Sequence, residues 1–390
     1  MYDKASIALI PSGFKAGSVN TLYSVLPANG DGDFDHIRSS TATRVNKDGL
    51  IESAGFTPRL DYPLTNGVVG DCPHLLLEPS RTNTIQNSEI TSTWTYTEYG
   101  SGSAGTITTG KTDMFGGTNA AQVDFPSDAE NVSITFGQTG SPITSGSDTI
   151  SLYIKLVESG SKTLQLRAST AVSSLINVNS TDFIRYEVTG NKTSNEAFNL
   201  KLRLSAGTSS GGFSIIICHP QEEAGSHATS YIPTSGIAVT RSADICDDSG
   251  TSAEFNDSEG VLFVEFAALD NDLTHRRIAI SDGTTSNLVY ISFDTASNRI
   301  LANANGKLMV YTVSDETEFQ KVAVYYNTTA PKLYVNGVLR ETETAMNAIS
   351  GLNELAFDNG AGGNNFYGKV KQLIVFNEAL SDSELQTLTS

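Results

Sequence analysis

Basic residues are scarce in this 390-residue sequence, where 25 Lys and Arg stand against 43 Asp and Glu for a formal net charge of -18. A surface of that sign repels phosphate backbones, which argues against a nucleic-acid binder. Cysteine is scarcer still. Cys72, Cys218 and Cys246 are an odd number and show no C-x-x-C spacing, so all three are expected to be reduced and structural. No apolar run approaches the ~18 residues that a membrane-spanning helix needs, Phe213 to Cys218 being among the longest. The apolar patch Ile7 to Ile10 stops at Pro11 and has no basic leader, so no export by a usual signal peptide is expected. What the chain does have is 38% hydrophobic residues, 34 glycines and abundant Ser, Thr and Asn. That is enough apolar content for folded cores, and at roughly 150 residues per domain the length predicts two to three of them.

The pattern changes along the chain. Residues 1–85 carry turn signals (Asn29-Gly30-Asp31-Gly32-Asp33, then Pro27, Pro58, Pro63 and Pro73) and one hairpin signal, Asp48-Gly49 between Thr43-Arg44-Val45 and Leu50-Ile51. From residue 86 to 244 apolar and polar residues alternate in short runs: Leu152, Ile154 and Leu156; Ile184, Tyr186 and Val188; Phe198, Leu200, Leu202 and Leu204 against Asn199, Lys201, Arg203 and Ser205. Such period-two runs, separated by Gly, Ser and Asn turns with no helical period between them, predict an antiparallel sandwich. Residues 245–259 are small, acidic and aperiodic, which predicts a linker. Residues 260–390 resume the strand pattern, with runs beginning at Val261, Arg277, Leu288, Lys307, Lys321, Lys332, Val338 and Lys369. Asn336-Gly337 predicts a type I′ hairpin, and Ser381 with Glu384 predicts a capping box opening a terminal helix.

Three stretches carry a resemblance. Ala8 to Gly13, Leu22 to Pro27, Gly32-Asp33-Phe34, Thr41 to Asn46, Gly49 to Glu52, Pro58 to Tyr62 and Leu75 to Asn83 resemble, in order, a segment recurrent in bacteriophage tail and fibre proteins. Gln221 to Gly225, Thr229 to Thr234 and Val239 to Asp244 look like the last strand and exit of the carbohydrate-binding-module-like jelly roll that follows it there. Leu333 to Gly337, Phe366 to Val370 and Leu373 to Leu385 are similar to the concanavalin A-like, laminin-G-like lectin fold. The resemblance implies a virion protein: a loop-rich attachment and oligomerisation segment at 1–85, followed by two β-sandwich domains, assembled in the bacterial cytoplasm and displayed on the particle. It also implies a homo-oligomer, with a trimer favoured, because Leu9, Ile10, Leu22, Tyr23, Val25, Leu50, Ile51 and Leu75 to Leu77 are too sparse for a core of their own and suit burial between chains.

Catalytic signals are weak. A glucanase on such a fold would place paired carboxylates on one strand, whereas Glu265 stands alone and Asp270 and Asp272 fall in the following turn. His36, His74, His219, His227 and His275 have neither a G-x-S-x-G context nor metal-ligand spacing. Asp31, Asp33 and Asp35 begin like a calcium loop, but the sixth and twelfth positions hold His36 and Ala42. A non-enzymatic protein is therefore expected. No cofactor is required, and calcium is the one ion the resembled families suggest, the oxygen-rich loop from Asp358-Asn359 to Asn364-Asn365 being its candidate holder. Sugar recognition needs a flat ring beside amide and carboxylate groups, so the candidates are Trp94, near Tyr96 and Tyr99, and Asp358, Asn359, Asn364 and Asn365; Tyr311, Tyr325, Tyr326 and Phe366 read as packing residues. The expected function is a virion fibre or spike subunit that binds host surface glycans. The alternatives are a structural decoration protein of the head or tail and a polysaccharide-degrading tailspike.

Overall fold

Alternation of side-chain polarity along the strands is what builds this molecule. The computed structural model describes residues 2–13, 18–138, 140–203 and 211–390; of the alternating run at Phe198, Leu204 and Ser205 lie outside the described residues. The protein is mainly β, in layered antiparallel sheets. In the first sandwich one sheet runs Thr106–Lys111, Ala120–Phe125, Phe213–Ala224, Gly146–Leu156, Ile184–Lys192, and it faces a sheet running Thr95–Glu98, Asn131–Thr135, Asn199–Arg203, Lys162–Arg167, Ser173–Val178. Ile150, Leu152, Ile154 and Leu156 point inward with Val123, Phe125, Ile215 and Ile217, as the period of two dictates. Ser151 and Tyr153 therefore point outward from the same strand, where Tyr153 packs with Ile51, Met114 and Tyr231.

The second sandwich pairs a sheet of Lys307–Thr312, Arg299–Ala304, Leu288–Phe293, Arg276–Ser281 and Glu354–Ala356 with an eight-stranded sheet centred on Glu259–Ala268 and Gly368–Phe376. Asn336 and Gly337 both adopt positive φ, 50° and 76°, as the hairpin signal requires. The helix Asp382–Thr389 opens with the expected capping box: Ser381 accepts from the Glu384 amide, and the Glu384 side chain accepts from the Ser381 amide. Leu385 anchors that helix on Phe263, Tyr334 and Ile374. The three cysteines are free, Cys72 exposed and Cys218 and Cys246 buried. Among the described residues no helix is long and apolar enough to cross a membrane.

The N-terminal segment does not stand apart. Ile7–Leu9 and His74–Leu77 both pair with Gly368–Phe376, and Arg59–Asp61 extends the sheet beyond His74–Leu77. Ile7, Leu9, Leu22, Phe34, Leu75 and Leu77 share one core with Leu262, Phe293 and Leu373, while Ile51 joins the cluster on the outer face of the first sandwich. This corrects the expectation of burial between chains for Leu9, Leu22, Ile51 and Leu75 to Leu77, whose transfer from water is completed within this chain, while Val25 and Leu50 stay exposed. The linker expected at 245–259 is likewise structured. Ile245–Asp247 pairs with Phe34–Ile37, the Ser249 amide donates to the Leu355 carbonyl at 3.1 Å, and Cys246 and Phe255 enter the second core. Acidic, glycine-bearing sequence reads as a linker, yet here its backbone groups are satisfied by strand pairing.

A buried ion network locks these parts together. Arg59 bonds Glu78 and Asp244; Arg38 reaches the other oxygen of Asp244 at 2.7 Å; Arg241 lies 3.1 Å from Glu78. The Glu78 amide donates to Asp244 at 2.9 Å, and the Ser230 amide and hydroxyl both donate to Glu78 at 2.7 Å. Burial alone would raise both carboxyls. The guanidinium groups outweigh it, Arg241 and Arg59 holding Glu78 at about 2 and Arg59 leading the set that holds Asp244 well below the usual carboxylate range. A second buried cluster sits at the edge of the first sandwich. Lys192 there bonds Glu222 and lies 3.3 Å from Asp148, whose carboxyl is pushed up to about 7 by burial and by Glu222.

Two consequences are measurable. A chain beginning at Gly260 loses three strands of the large sheet together with Leu22, Phe34 and Phe255 from its core. It is expected to melt far below the full chain, or to aggregate, in thermal denaturation followed by light scattering; a cooperative transition at the full-length midpoint would show that the added strands are dispensable. Glu78→Gln leaves Arg59 and Arg241 short of a buried partner, so urea unfolding at pH 7 should show a loss of about 3–5 kcal/mol. Because the native pKa of Glu78 is lowered, its stabilisation is complete above the ordinary carboxylate range and fades as pH falls towards about 2. The variant should lack that part of the acid sensitivity.

Candidate functional site

A groove of about 300 Å³ opens where the exit of the first sandwich meets two loops of the second. Its floor on one side comes from the loop leading into Gly368–Phe376. Phe366 is turned inward, packed among Phe266, Phe293 and Phe357, so its sequence neighbours Asn365 and Tyr367 are presented to the groove. The loop is held in place by the Arg277 amide, which donates to the Asn364 carbonyl at 3.0 Å, and by the Phe366 amide, which donates to the Phe357 carbonyl at 2.7 Å. Asn365 lies 3.5 Å from the Tyr367 hydroxyl, so an amide and a phenol stand together over the opening.

The facing wall is polar and partly unsatisfied. His227 is only 8% exposed and its Nε2 has no hydrogen-bond partner among the described residues. Burial, with Arg81 next, lowers its pKa, so the ring is neutral at physiological pH and offers one donor or one acceptor to a ligand. Arg81 also lines the groove; it donates to the Ser80 carbonyl at 3.1 Å and has no carboxylate within ion-pair distance among the described residues. Beneath them Arg276 fixes the turn after Glu259–Ala268: it donates to the Asp270 carbonyl at 2.9 Å and lies 3.0 Å from Asp272 and 3.2 Å from Glu316. Burial first pushes Glu316 up to about 7 in spite of Arg276. His275 stands at the rim, its Nδ1 3.3 Å from Asp294.

The sequence candidates divide. Asn364 and Asn365 line the groove. Asp358 and Asn359 do not: Asp358 is buried and accepts from the Gly360 amide at 2.5 Å, and the Asn359 side chain accepts from the Ala361 and Gly363 amides at 3.1 and 2.9 Å. Those oxygens are spent on closing their own loop, and among the described residues there is no group of three or more His, Cys, Asp or Glu that could hold a metal ion. Trp94 is a core residue. Its ring meets Phe136 edge-on at 5.2 Å and its Nε1 donates to the Asn87 carbonyl at 3.0 Å, which leaves no open face for a sugar. Asp33, from the calcium-like run, accepts from the Ser24 amide at 2.8 Å and serves a turn. Arg81, His227, His275 and Tyr367 were not legible as site residues. They lie far apart in sequence, and only the closure of the two sandwiches brings them together.

Residues 263–386 match the family described as the concanavalin A-like lectin/glucanases superfamily. No curated protein matches the chain. Among solved structures, the Ruminococcus gnavus IT-sialidase CBM40 is similar at 17% identity over 35% of this chain and 84% of that one, with a TM-score of 0.30. Domain 4 of AbnA, a GH43 extracellular arabinanase from Geobacillus stearothermophilus, is similar at 12% identity over 43% of this chain and 84% of that one, with a TM-score of 0.31. The Botulinum Neurotoxin Type G receptor binding domain gives 15% identity, 37% and 41% coverage, and a TM-score of 0.28. Likeness at this level bears on neither ligand nor mechanism.

One glycine sets the groove's shape. A Cβ on Gly225, whose φ is 146°, would stand 2.7 Å from the Arg81 Nε and 2.8 Å from its Nη2. Gly225→Ala should therefore displace Arg81 and lower stability by about 1–3 kcal/mol, read in urea unfolding and in a crystal structure of the variant. An unmoved Arg81 would show that the wall does not depend on this glycine.

Proposed function

We propose that this chain is a bacteriophage virion fibre or spike subunit that binds host surface glycans, and that the groove over Tyr367 and Asn365 holds the sugar. The observation that carries this reading is the groove itself: a phenol ring and an amide on one side, and on the other the buried His227 Nε2 with no partner of its own. A pyranose offers an apolar face to the ring and hydroxyls to the amide and imidazole, which is the pairing such a surface lacks when empty. The lectin/glucanase match over residues 263–386 supports a carbohydrate-directed fold in the same part of the chain. The virion setting is supported by the ordered N-terminal islands from Ala8 to Asn83. For assembly as a homo-oligomer, the exposed Ile37 and Ile245, paired side by side across two strands, supply an apolar surface beyond the chain's own core.

A glycan array probed with the full chain tests the reading. Binding to a defined set of surface glycans is expected, and Tyr367→Ala should weaken it at least about tenfold, the order of one lost aromatic platform and its hydrogen bond, with no change in unfolding midpoint. Release of shorter products would instead make the protein a depolymerase. Silence across the array would leave a structural decoration protein.

A further inference from the structure

A second cavity lies on the other side of Leu269, enclosed by three distant parts of the chain. Its inner chamber, about 180 Å³, is lined from the N-terminal segment by Arg44 and Asp61, from the outer face of the first sandwich by Tyr153 and Arg185, and from the second sandwich by Lys369. It adjoins a groove of about 500 Å³ that Tyr153, Arg185 and Lys369 also line. At about 30 Å³ per water in the liquid, the chamber has room for about six waters or a single sugar ring.

The polar groups here are unevenly partnered. Tyr153 is only 5% exposed, and its hydroxyl has no hydrogen-bond partner among the described residues. Arg185 stands opposite Tyr153 across the strand pair, with its guanidinium 5.7 Å from the ring centre. It donates to the Thr229 carbonyl at 2.7 Å and the Ser151 hydroxyl at 2.9 Å, both neutral. Lys369 has no carboxylate within ion-pair distance among the described residues. Of the acids lining the inner chamber, Glu78 belongs to the buried arginine network, while Asp61 accepts from the Val45 amide at 2.7 Å and, beside a His74 ring that burial keeps neutral, is raised by burial to about 6 with Lys369 among the cations that oppose the rise. Arg44 is paired with Glu52 at 2.7 Å, and Glu187 stands exposed in the outer groove. Arg185 and Lys369, with no carboxylate within ion-pair distance among the described residues, thus face one chamber in which Asp61 is the one acid outside the arginine network.

We propose that this chamber is a second saccharide site, selective for an acidic sugar residue whose anionic group sits against Lys369 and Arg185 while a ring oxygen or hydroxyl bonds the Tyr153 hydroxyl. The inference borrows from the glycan reading only the saccharide nature of the ligand; the site and its charge preference are separate from the Tyr367 groove. Charge-assisted bonds from two cations are strong enough to set this preference. Carboxylated and sulfated sugars share the required chemistry.

Titration calorimetry on the full chain with trigalacturonate, sulfated lactose and maltotriose distinguishes them. At least one acidic probe is expected to bind, and maltotriose is not expected to bind at this site. Lys369→Gln should weaken the acidic probe about tenfold and Tyr153→Phe about threefold, with unchanged unfolding midpoints, while Tyr367→Ala leaves the affinity as it was. Stronger binding of trigalacturonate assigns the site to carboxylates, and stronger binding of sulfated lactose assigns it to sulfates. The proposal is overturned if neither acidic probe binds, or if Lys369→Gln and Tyr153→Phe both bind as the parent does. Loss of binding in Tyr367→Ala alone would place the acidic sugar in the other groove and also overturn it.

Discussion

Everything in this fold that is not a plain sandwich depends on the buried contact of Arg59 with Glu78 and Asp244. Taking these charges out of water is costly, and the cost is offset only because each carboxylate oxygen is bonded and each guanidinium meets more than one acceptor. Arg38 and Arg59 come from the N-terminal segment, Glu78 from its last strand's exit, and Arg241 and Asp244 from the exit of the first sandwich. Since the Glu78 amide itself donates to Asp244, the two exits are fixed to each other through main chain as well as side chain. The network's carboxylate oxygens are all bonded, whereas Arg59 Nε and Arg241 Nε and Nη1 have no hydrogen-bond partner among the described residues. A shift of any segment would strand a buried charge, and that restricts how the two sandwiches can be joined.

The N-terminal segment is consequently an internal scaffold. It lends three strands to the large sheet of the second sandwich and an apolar cover to the outer face of the first. Cys246 and Phe255, from the stretch between the sandwiches, are drawn into the same core. Both cavities follow from this arrangement. Pro79 and Arg81 continue directly from Glu78 into the groove, while Ser230, which bonds Glu78, lines the inner chamber. The network thus sets walls of both cavities, and Glu78 itself lines the inner chamber.

Local signals were readable wherever the determinant was local. Two positive-φ positions are needed at Asn336-Gly337, and a reciprocal cap needs only Ser381 and Glu384, so both were found in a few residues of sequence. The strands with clear alternation were found for the same reason. Arg299–Ala304 was missed because Asn303 and two alanines dilute its pattern, and Glu354–Ala356 because three residues carry no period. The pairing of Ile7–Leu9 with Leu373 to Val375 escaped notice because all three residues are buried, which erases the alternation that marks a half-exposed strand. The network was out of reach altogether: Arg59 and Asp244 are 185 residues apart, and nothing in either neighbourhood announces a buried charge.

The candidate site was half visible for a related reason. The Asp358 to Asn365 loop looked oxygen-rich, which is a statement about composition, whereas a site is a statement about which oxygens remain unspent. Asp358 and Asn359 bond the amides of their own loop, as short polar side chains beside glycines tend to do. Asn365 escapes this because the inward turn of Phe366 forces its neighbours outward. The same accounting sorts the polar groups on the outer face of the first sandwich, where His219 Nε2 and Arg185 Nε have no hydrogen-bond partner among the described residues. Ser151 is satisfied by Arg185 and the Tyr231 hydroxyl by Ser88 and Glu89, but Tyr153 keeps its hydroxyl without a protein partner at the wall of a chamber that a sugar ring would fill. Other buried polar atoms of this fold also lack a partner, His36 Nδ1, Gln165 Oε1 and Arg241 Nε among them, so an unpartnered atom points to a ligand only where, as at His227, it also faces a cavity.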